Sequence, residues 1–132
     1  MLLLSKKIVN LLLVLMLINL PVLKAGERVR KKLRAWNQLK NARVYLKTGQ
    51  LEMGLLLLNH SIRAHPDLAE SWYTRGVANF RLERYEEALR NLDTSITLDS
   101  QESEPYFYRG RIHSRLGNQQ QAVADFSESI RL

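Results

Sequence analysis

Residues 71–80 read SWYTRGVANF, and their apolar and small side chains recur at the three- and four-residue steps of an α-helix. Gly76 lies in the middle of this segment, although glycine inside a helix costs about 1 kcal/mol relative to alanine. Ala42 and Gly110 occupy the positions 34 residues before and after it. A small residue that recurs at one fixed distance predicts a point where two helices approach closely.

Four more columns share this period of 34 residues without any insertion. They are Gly54, Ala88 and Ala122; Leu58, Leu92 and Phe126; Ser61, Ser95 and Ser129; and Ile62, Ile96 and Ile130. Such a period is typical of stacked repeat proteins. Each unit divides into two helices, interrupted by the segments KTGQ, LERY and RLGN. We expect helices at about 35–48, 51–64, 69–82, 85–98, 103–116 and 119–131.

The unit resembles the tetratricopeptide repeat family, whose pattern reads W-x2-L-G-x2-Y, then A-x3-F, then P. The matching residues are Trp72, Gly76, Ala88 and Leu92 in the middle unit, Tyr106, Gly110, Ala122 and Phe126 in the last, and Ala42, Tyr45, Gly54, Leu58 and Pro66 in the first. The resemblance implies an all-α fold, a right-handed superhelical stack of helix-turn-helix repeats at 35–68, 69–102 and 103–132. Arg75 and Arg109 depart from it, because the pattern has leucine there.

The resemblance also implies a concave groove lined by the first helix of each repeat. Position 5 of the three repeats is Leu39, Tyr73 and Phe107; position 9 is Arg43, Val77 and Arg111; and position 13 is Lys47, Arg81 and Arg115. Cations pair with carboxylates, and aromatic side chains offer area to a peptide or a helix. The function implied is that of an adaptor or scaffold whose protein partner presents an acidic or extended peptide segment, or a helix.

Some members of the family hold a terminal carboxylate with a clamp of lysine, asparagine and arginine. Leu39 stands where the first lysine of that clamp belongs, and Glu104 and Tyr108 stand at its last lysine and arginine. The resemblance therefore disfavours the binding of chaperone tails.

Residues 1–25 carry an apolar run, Ile8–Leu23, behind two lysines. Sixteen helical residues span about 24 Å, less than the ~30 Å hydrocarbon core of a bilayer. A basic start, an apolar run and small residues after Pro21 are typical of a secretory signal peptide. We expect export of the repeats, with cleavage after Ala25, although Leu23 is larger than the residue usual at that position of the site.

An uncleaved membrane anchor is the alternative, because the basic linker at 26–34 outnumbers Lys6 and Lys7 in positive charge. The positive-inside rule would then keep the repeats in the cytoplasm. A third alternative is a cytosolic chain in which the apolar helix is buried in the fold.

The net charge of +7 is concentrated next to the apolar run. Residues 26–47 carry eight basic residues against Glu27, whereas residues 48–132 carry nine against twelve acids. We therefore expect no nucleic-acid partner. A basic run beside an apolar segment favours contact of residues 1–34 with anionic lipid, and a membrane-surface tether is the alternative function.

The sequence offers no pattern for catalysis. It has no cysteine, His60 and His65 are not spaced as metal ligands, and the phosphate-loop, nucleophile-elbow and dinucleotide patterns are missing. We expect neither an enzyme nor a cofactor or metal site. Stacks of repeats usually end in a capping helix, and none follows the last repeat in this sequence. We expect either that another subunit covers the edge around Val123 and Ile130, by self-association, or that the sequence is part of a longer protein.

Overall fold

The computed structural model describes residues 5–132, which form six α-helices and no strand. The helices are α1 Lys6–Lys47, α2 Leu51–Ala64, α3 Ala69–Arg81, α4 Tyr85–Leu98, α5 Ser103–Arg115 and α6 Gln119–Arg131. The all-α fold is confirmed, and α2 to α6 match the expected bounds to within one residue. Residues 1–4, the start of the expected signal peptide or anchor, lie outside the described residues.

The helices pack as three successive pairs, α1 with α2, α3 with α4 and α5 with α6. Each second helix also contacts the first helix of the next pair, and α3 contacts both α1 and α5. Two clusters form the core, one around Leu39 and Leu58 and the other around Leu92 and Ile112, all of which are fully buried. The result is a stack of helical repeats in which each repeat is covered mainly by its neighbours.

The column of small residues marks the contacts within the pairs. A Cβ atom added at Gly76 would lie 2.9 Å from Leu92 Cγ, and one added at Gly110 would lie 2.9 Å from Phe126 Cε1. In the first repeat the glycine is on the second helix, where a Cβ on Gly54 would lie 2.8 Å from Leu46 Cγ. The interpretation of Gly76 as a point of close approach is confirmed.

The turn inside each repeat also recurs with the same period. Gly49, Glu83 and Gly117 have φ of 81°, 58° and 80°, the left-handed region that closes a helix. The amide of the following residue donates to a carbonyl of the preceding helix in all three turns, as from Arg84 N to Asn79 O at 2.9 Å. Glu83 is the non-glycine residue at this position, and its side chain must tolerate a backbone that favours glycine.

The first helix differs most from expectation, because α1 runs for 42 residues, about 63 Å. Residues 26–34, interpreted as a linker, lie inside this helix and do not form a separate coil. Every residue from 5 to 34 is exposed, and burial begins at Ala35. By length and composition α1 could cross a membrane, and none of its apolar stretch is buried in the repeats. The alternative of an apolar helix buried in the fold is therefore wrong.

Candidate functional site

The candidate site is the surface formed by α1, α3 and α5, here called the first-helix face. Of the nine predicted groove residues, Lys47, Arg81, Phe107 and Arg115 are exposed, and Arg43, Tyr73, Val77 and Arg111 are partly buried. Leu39 is fully buried, so its prediction as a groove residue is wrong. The reason is that Leu39 belongs to a core cluster with Leu68 of its own repeat and Ala78 of the next.

An aromatic cluster occupies this face between the second and third repeats. The ring centroid of Tyr108 lies 5.9 Å from that of Tyr73, 5.7 Å from that of Phe80 and 5.6 Å from that of Phe107. All three contacts are edge-to-face, the arrangement that aromatic quadrupoles favour. Tyr108 thus lies at the centre of the cluster, although the position pattern did not include it among the groove residues.

Arg111 lies over this cluster. Its guanidinium carbon is 4.7 Å from the ring centroid of Phe80, 5.5 Å from that of Tyr108 and 5.7 Å from that of Phe107. Within residues 5–132, Arg111 forms no ion pair with a carboxylate. Cation–π contact holds the guanidinium in place while its hydrogen-bond donors remain available to an anionic ligand.

Two other cations of the face have partners within the protein. Arg43 forms an ion pair with Glu70 of the next repeat, and Arg81 Nη1 donates to the carbonyl oxygen of Leu46 at 2.7 Å. Lys47, Arg81 and Arg115 are each the last residue of a helix, where a cation interacts favourably with the helix dipole. Part of the predicted row of cations therefore stabilises the repeats, and Arg111 is the member best placed to bind a ligand.

Tyr73 is the titratable group most affected by this environment. Burial, with smaller contributions from Tyr108 and Glu104, raises the pKa of Tyr73 to about 12. Its hydroxyl therefore stays protonated at neutral pH and keeps a hydrogen-bond donor at the edge of the aromatic cluster.

The two arginines that depart from the repeat pattern lie on the other side of the stack, between the second helices. Arg75 Nε donates to Asn91 Oδ1 and Arg75 Nη1 to Asn59 Oδ1, both at 2.9 Å, and its guanidinium lies 4.6 Å from the ring centroid of Trp72. Arg109 makes the corresponding contacts with Asp93 and Asp125. Both side chains thus join the second helices of consecutive repeats, which accounts for a charge where the pattern has leucine.

The described part of the chain holds no group of three histidine, aspartate or glutamate residues that could bind a metal ion. His113 Nε2 lies 4.0 Å from Asp125 Oδ2, which already accepts from Arg109. The polar clusters of the stack therefore consist of ion pairs and amide contacts between helices.

Comparison with known proteins agrees with this geometry. Models of the tetratricopeptide repeat match residues 69–102 and 103–132. The second TPR of Spaghetti (RPAP3), solved with the HSP90 peptide SRMEEVD, superposes with a TM-score of 0.77 and 25% identity, covering 80% of this chain and 96% of that one. The first TPR of the same protein, also solved with that peptide, gives a TM-score of 0.74 and 19% identity, covering 76% of this chain and 79% of that one. The Arabidopsis OM64 TPR domain gives a TM-score of 0.76 and 18% identity, covering 77% of this chain and 84% of that one. The chain therefore belongs to the tetratricopeptide repeat family.

Proposed function

We propose that this protein is an interaction adaptor that binds an acidic or extended peptide segment, or a helix, of a partner protein on the first-helix face. The proposal rests on the position of Arg111. Its guanidinium lies over the aromatic cluster of Phe80, Phe107 and Tyr108 and has no carboxylate partner among the described residues. A partner carboxylate would pair with the guanidinium, while apolar side chains beside it would cover the exposed ring of Phe107.

The solved relatives support a peptide as the ligand class, since two of them hold the acidic peptide SRMEEVD. The mode of binding would differ from a terminal-carboxylate clamp. Leu39 is buried where such a clamp has lysine, and Tyr108 packs inside the aromatic cluster where it has arginine. We therefore propose recognition of side-chain carboxylates and apolar groups within a segment, rather than of a chain end.

No enzymatic activity is part of the proposal, because repeats of this family generally serve as interaction modules. Self-association through the last repeat stays a prediction, to which the 63% and 86% exposure of Val123 and Ile130 lends support.

The test of the adaptor function uses the full chain in detergent micelles. Linear peptides selected from a random library on the wild-type protein are titrated calorimetrically against the wild type and Arg111→Glu. We expect the substitution to weaken binding by at least about tenfold, since it replaces a charge-assisted contact by repulsion. Arg63→Glu, the same change on α2, is the control. Peptides that bind Arg111→Glu as tightly as the wild type would contradict the proposal.

We also propose that the N-terminal segment directs the repeats to or through a membrane, as a cleaved signal peptide with export or, alternatively, as an anchor with cytoplasmic repeats. The N-terminus of the mature protein, determined by mass spectrometry, distinguishes the two. A start at Gly26 would support cleavage, and an intact segment in the membrane fraction would support the anchor.

A membrane-surface tether is the second candidate function. Lys31 and Arg34 of α1, together with His60 and Arg63 of α2, line a groove of about 490 Å³, so the basic surface extends from the juxtamembrane helix onto the first repeat. Each basic residue near an anionic surface contributes about 1 kcal/mol of attraction, which salt weakens.

Vesicles of phosphatidylserine and phosphatidylcholine provide the test of the tether. For the form of the chain that begins at Gly26, we expect flotation with anionic vesicles, and salt should reverse it. Replacing Lys31, Lys32 and Arg34 by glutamine should abolish it, and unchanged flotation of that variant would remove the tether from consideration.

A further inference from the structure

The side of the stack opposite the first-helix face contains a cation without a carboxylate partner. Arg75 is partly buried between α2 and α4, and its two acceptors, Asn59 Oδ1 and Asn91 Oδ1, are neutral amide oxygens. Asn91 Nδ2 donates to the carbonyl oxygen of Glu87 at 2.7 Å, which holds Oδ1 towards Arg75. Desolvation by burial lowers the pKa of Arg75, so the site disfavours its positive charge without compensating it.

The next repeat shows the same site with its charge compensated. Arg109 Nε and Nη2 donate to the two carboxylate oxygens of Asp125 at 2.9 and 2.7 Å, and Nη1 donates to Asp93 Oδ1 at 2.8 Å. These contacts raise the pKa of Arg109. The site around Arg75 therefore has the geometry of an arginine–carboxylate site but lacks the carboxylate.

A groove of about 690 Å³ opens over Arg75. The other charged residues that line it are paired with each other, Glu52 with Arg84 at 2.7 Å and Glu87 with Arg90 at 3.0 Å. Three arginines against two glutamates leave one positive charge in the groove. Leu56, which is 50% exposed, and the ring of Trp72 supply apolar walls beside it.

We propose that this groove binds an aspartate or glutamate side chain of a partner protein segment, with its carboxylate on the Arg75 guanidinium and an adjacent apolar side chain on Leu56 and Trp72. Within residues 5–132, Arg75 Nη2 has no hydrogen-bond acceptor, so a donor is available to the carboxylate. The site is independent of the first-helix face and would give the adaptor a second contact surface.

The charge of the groove favours a carboxylate over a phosphate. A carboxylate carries one negative charge and neutralises the one unpaired cation. A phosphate group carries −1.5 to −2 at about pH 7 and would place its excess charge near Glu52 and Glu87.

The test uses the full chain in detergent micelles and three probes: a capped Leu-Glu-Leu peptide, its Leu-Gln-Leu analogue and inorganic phosphate. The indole N–H resonance of Trp72 reports binding by NMR, because this ring lies against Arg75. We expect the glutamate peptide to bind at least about tenfold more tightly than the glutamine peptide, since the carboxylate makes charge-assisted hydrogen bonds.

Asn91→Asp is the decisive variant, because it places a carboxylate beside Arg75 in the way that Asp125 lies beside Arg109. The Arg75 guanidinium would then be paired within the protein. It should remain folded and weaken binding of the glutamate peptide by at least about tenfold. Arg75→Gln should give the same loss, and Lys40→Glu, the reversal of an exposed cation on α1, should give none. Equal affinity of the two peptides, unchanged affinity of Asn91→Asp, stronger binding of phosphate, or loss in Lys40→Glu would each overturn the proposal.

Discussion

Arg75 and Arg109 stand 34 residues apart at the same position of neighbouring repeats, and each donates hydrogen bonds to the residues sixteen positions before and after it. The acceptors are two asparagines for Arg75 and two aspartates for Arg109. One geometry thus has two electrostatic outcomes, a compensated cation in the third repeat and an uncompensated one in the second.

Replacement of these arginines by leucine, the residue of the family pattern, should have unequal costs. Arg109→Leu leaves the buried carboxylate of Asp125 without its partner and should lower the free energy of unfolding by about 3 kcal/mol. Arg75→Leu leaves only neutral amides and should cost about 1 kcal/mol. Urea unfolding followed by circular dichroism measures both values. Equal costs would show that the carboxylates do not distinguish the two sites.

Gly76→Ala should destabilise the stack even though alanine is the better helix former. The new Cβ would lie 2.9 Å from Leu92 Cγ, and Leu92 is fully buried, so the paired helices must separate. Overpacking should exceed the gain in helix propensity and leave a net loss of about 1–2 kcal/mol. Gly26→Ala, with nothing within 4 Å of its Cβ, is the control and should cause no loss. A Gly76→Ala variant as stable as the wild type would contradict the close approach.

Glu83→Gly should stabilise the protein. Glu83 has φ of 58° at a position where the other two repeats have glycine, and a side chain is strained in that region. Relief of this strain stabilises the folded chain, whereas the greater flexibility of glycine stabilises the unfolded chain. The free energy of unfolding should therefore rise by about 1 kcal/mol at most. Gly117→Ala is the reciprocal variant and should lose about 1 kcal/mol. A loss of stability in Glu83→Gly would mean that the glutamate side chain makes a compensating contact.

Alkaline pH should weaken the stack through Tyr73, whose pKa is raised to about 12 from 10.0. Below about pH 10 both the folded and the unfolded chain keep this proton, so Tyr73 adds no pH dependence there. Between about pH 10 and 12 the unfolded chain releases the proton while the folded chain retains it, and stability falls. Between about pH 9 and about pH 11, the midpoint of urea unfolding should therefore fall less for Tyr73→Phe than for the wild type. An identical fall would exclude Tyr73 as the cause.

Periodicity was sufficient to predict five of the six helices because small and apolar residues mark the packed side of each one. It could not predict the continuity of α1 through residues 26–34, where exposed charges leave no packing pattern. The spacing of Asp67 and Glu70 fits a capping box, yet the N-cap of α3 is Leu68, whose apolar side chain makes no cap hydrogen bond. Glu70 instead pairs with Arg43 of the previous repeat.

The candidate site was predictable only in part, because equivalent positions differ in burial. At position 5, Leu39 is buried in a core cluster that includes Ala78 of the next repeat, whereas the ring of Phe107 is 43% exposed. The roles of Tyr108 and Arg75 depend on contacts between repeats, which no pattern within one repeat contains. The nearest signal in the sequence was the charge itself, an arginine at a position where the family has leucine.

The position of a bound peptide tests the central claim most directly. Intermolecular nuclear Overhauser effects are measured between a library-selected peptide and the full chain in detergent micelles. We predict contacts from the peptide to the ring protons of Phe107, Tyr108 and Tyr73, and their loss in Arg111→Glu. A peptide that contacts neither these rings nor any other residue of α3 and α5 would contradict the first-helix face as the binding site.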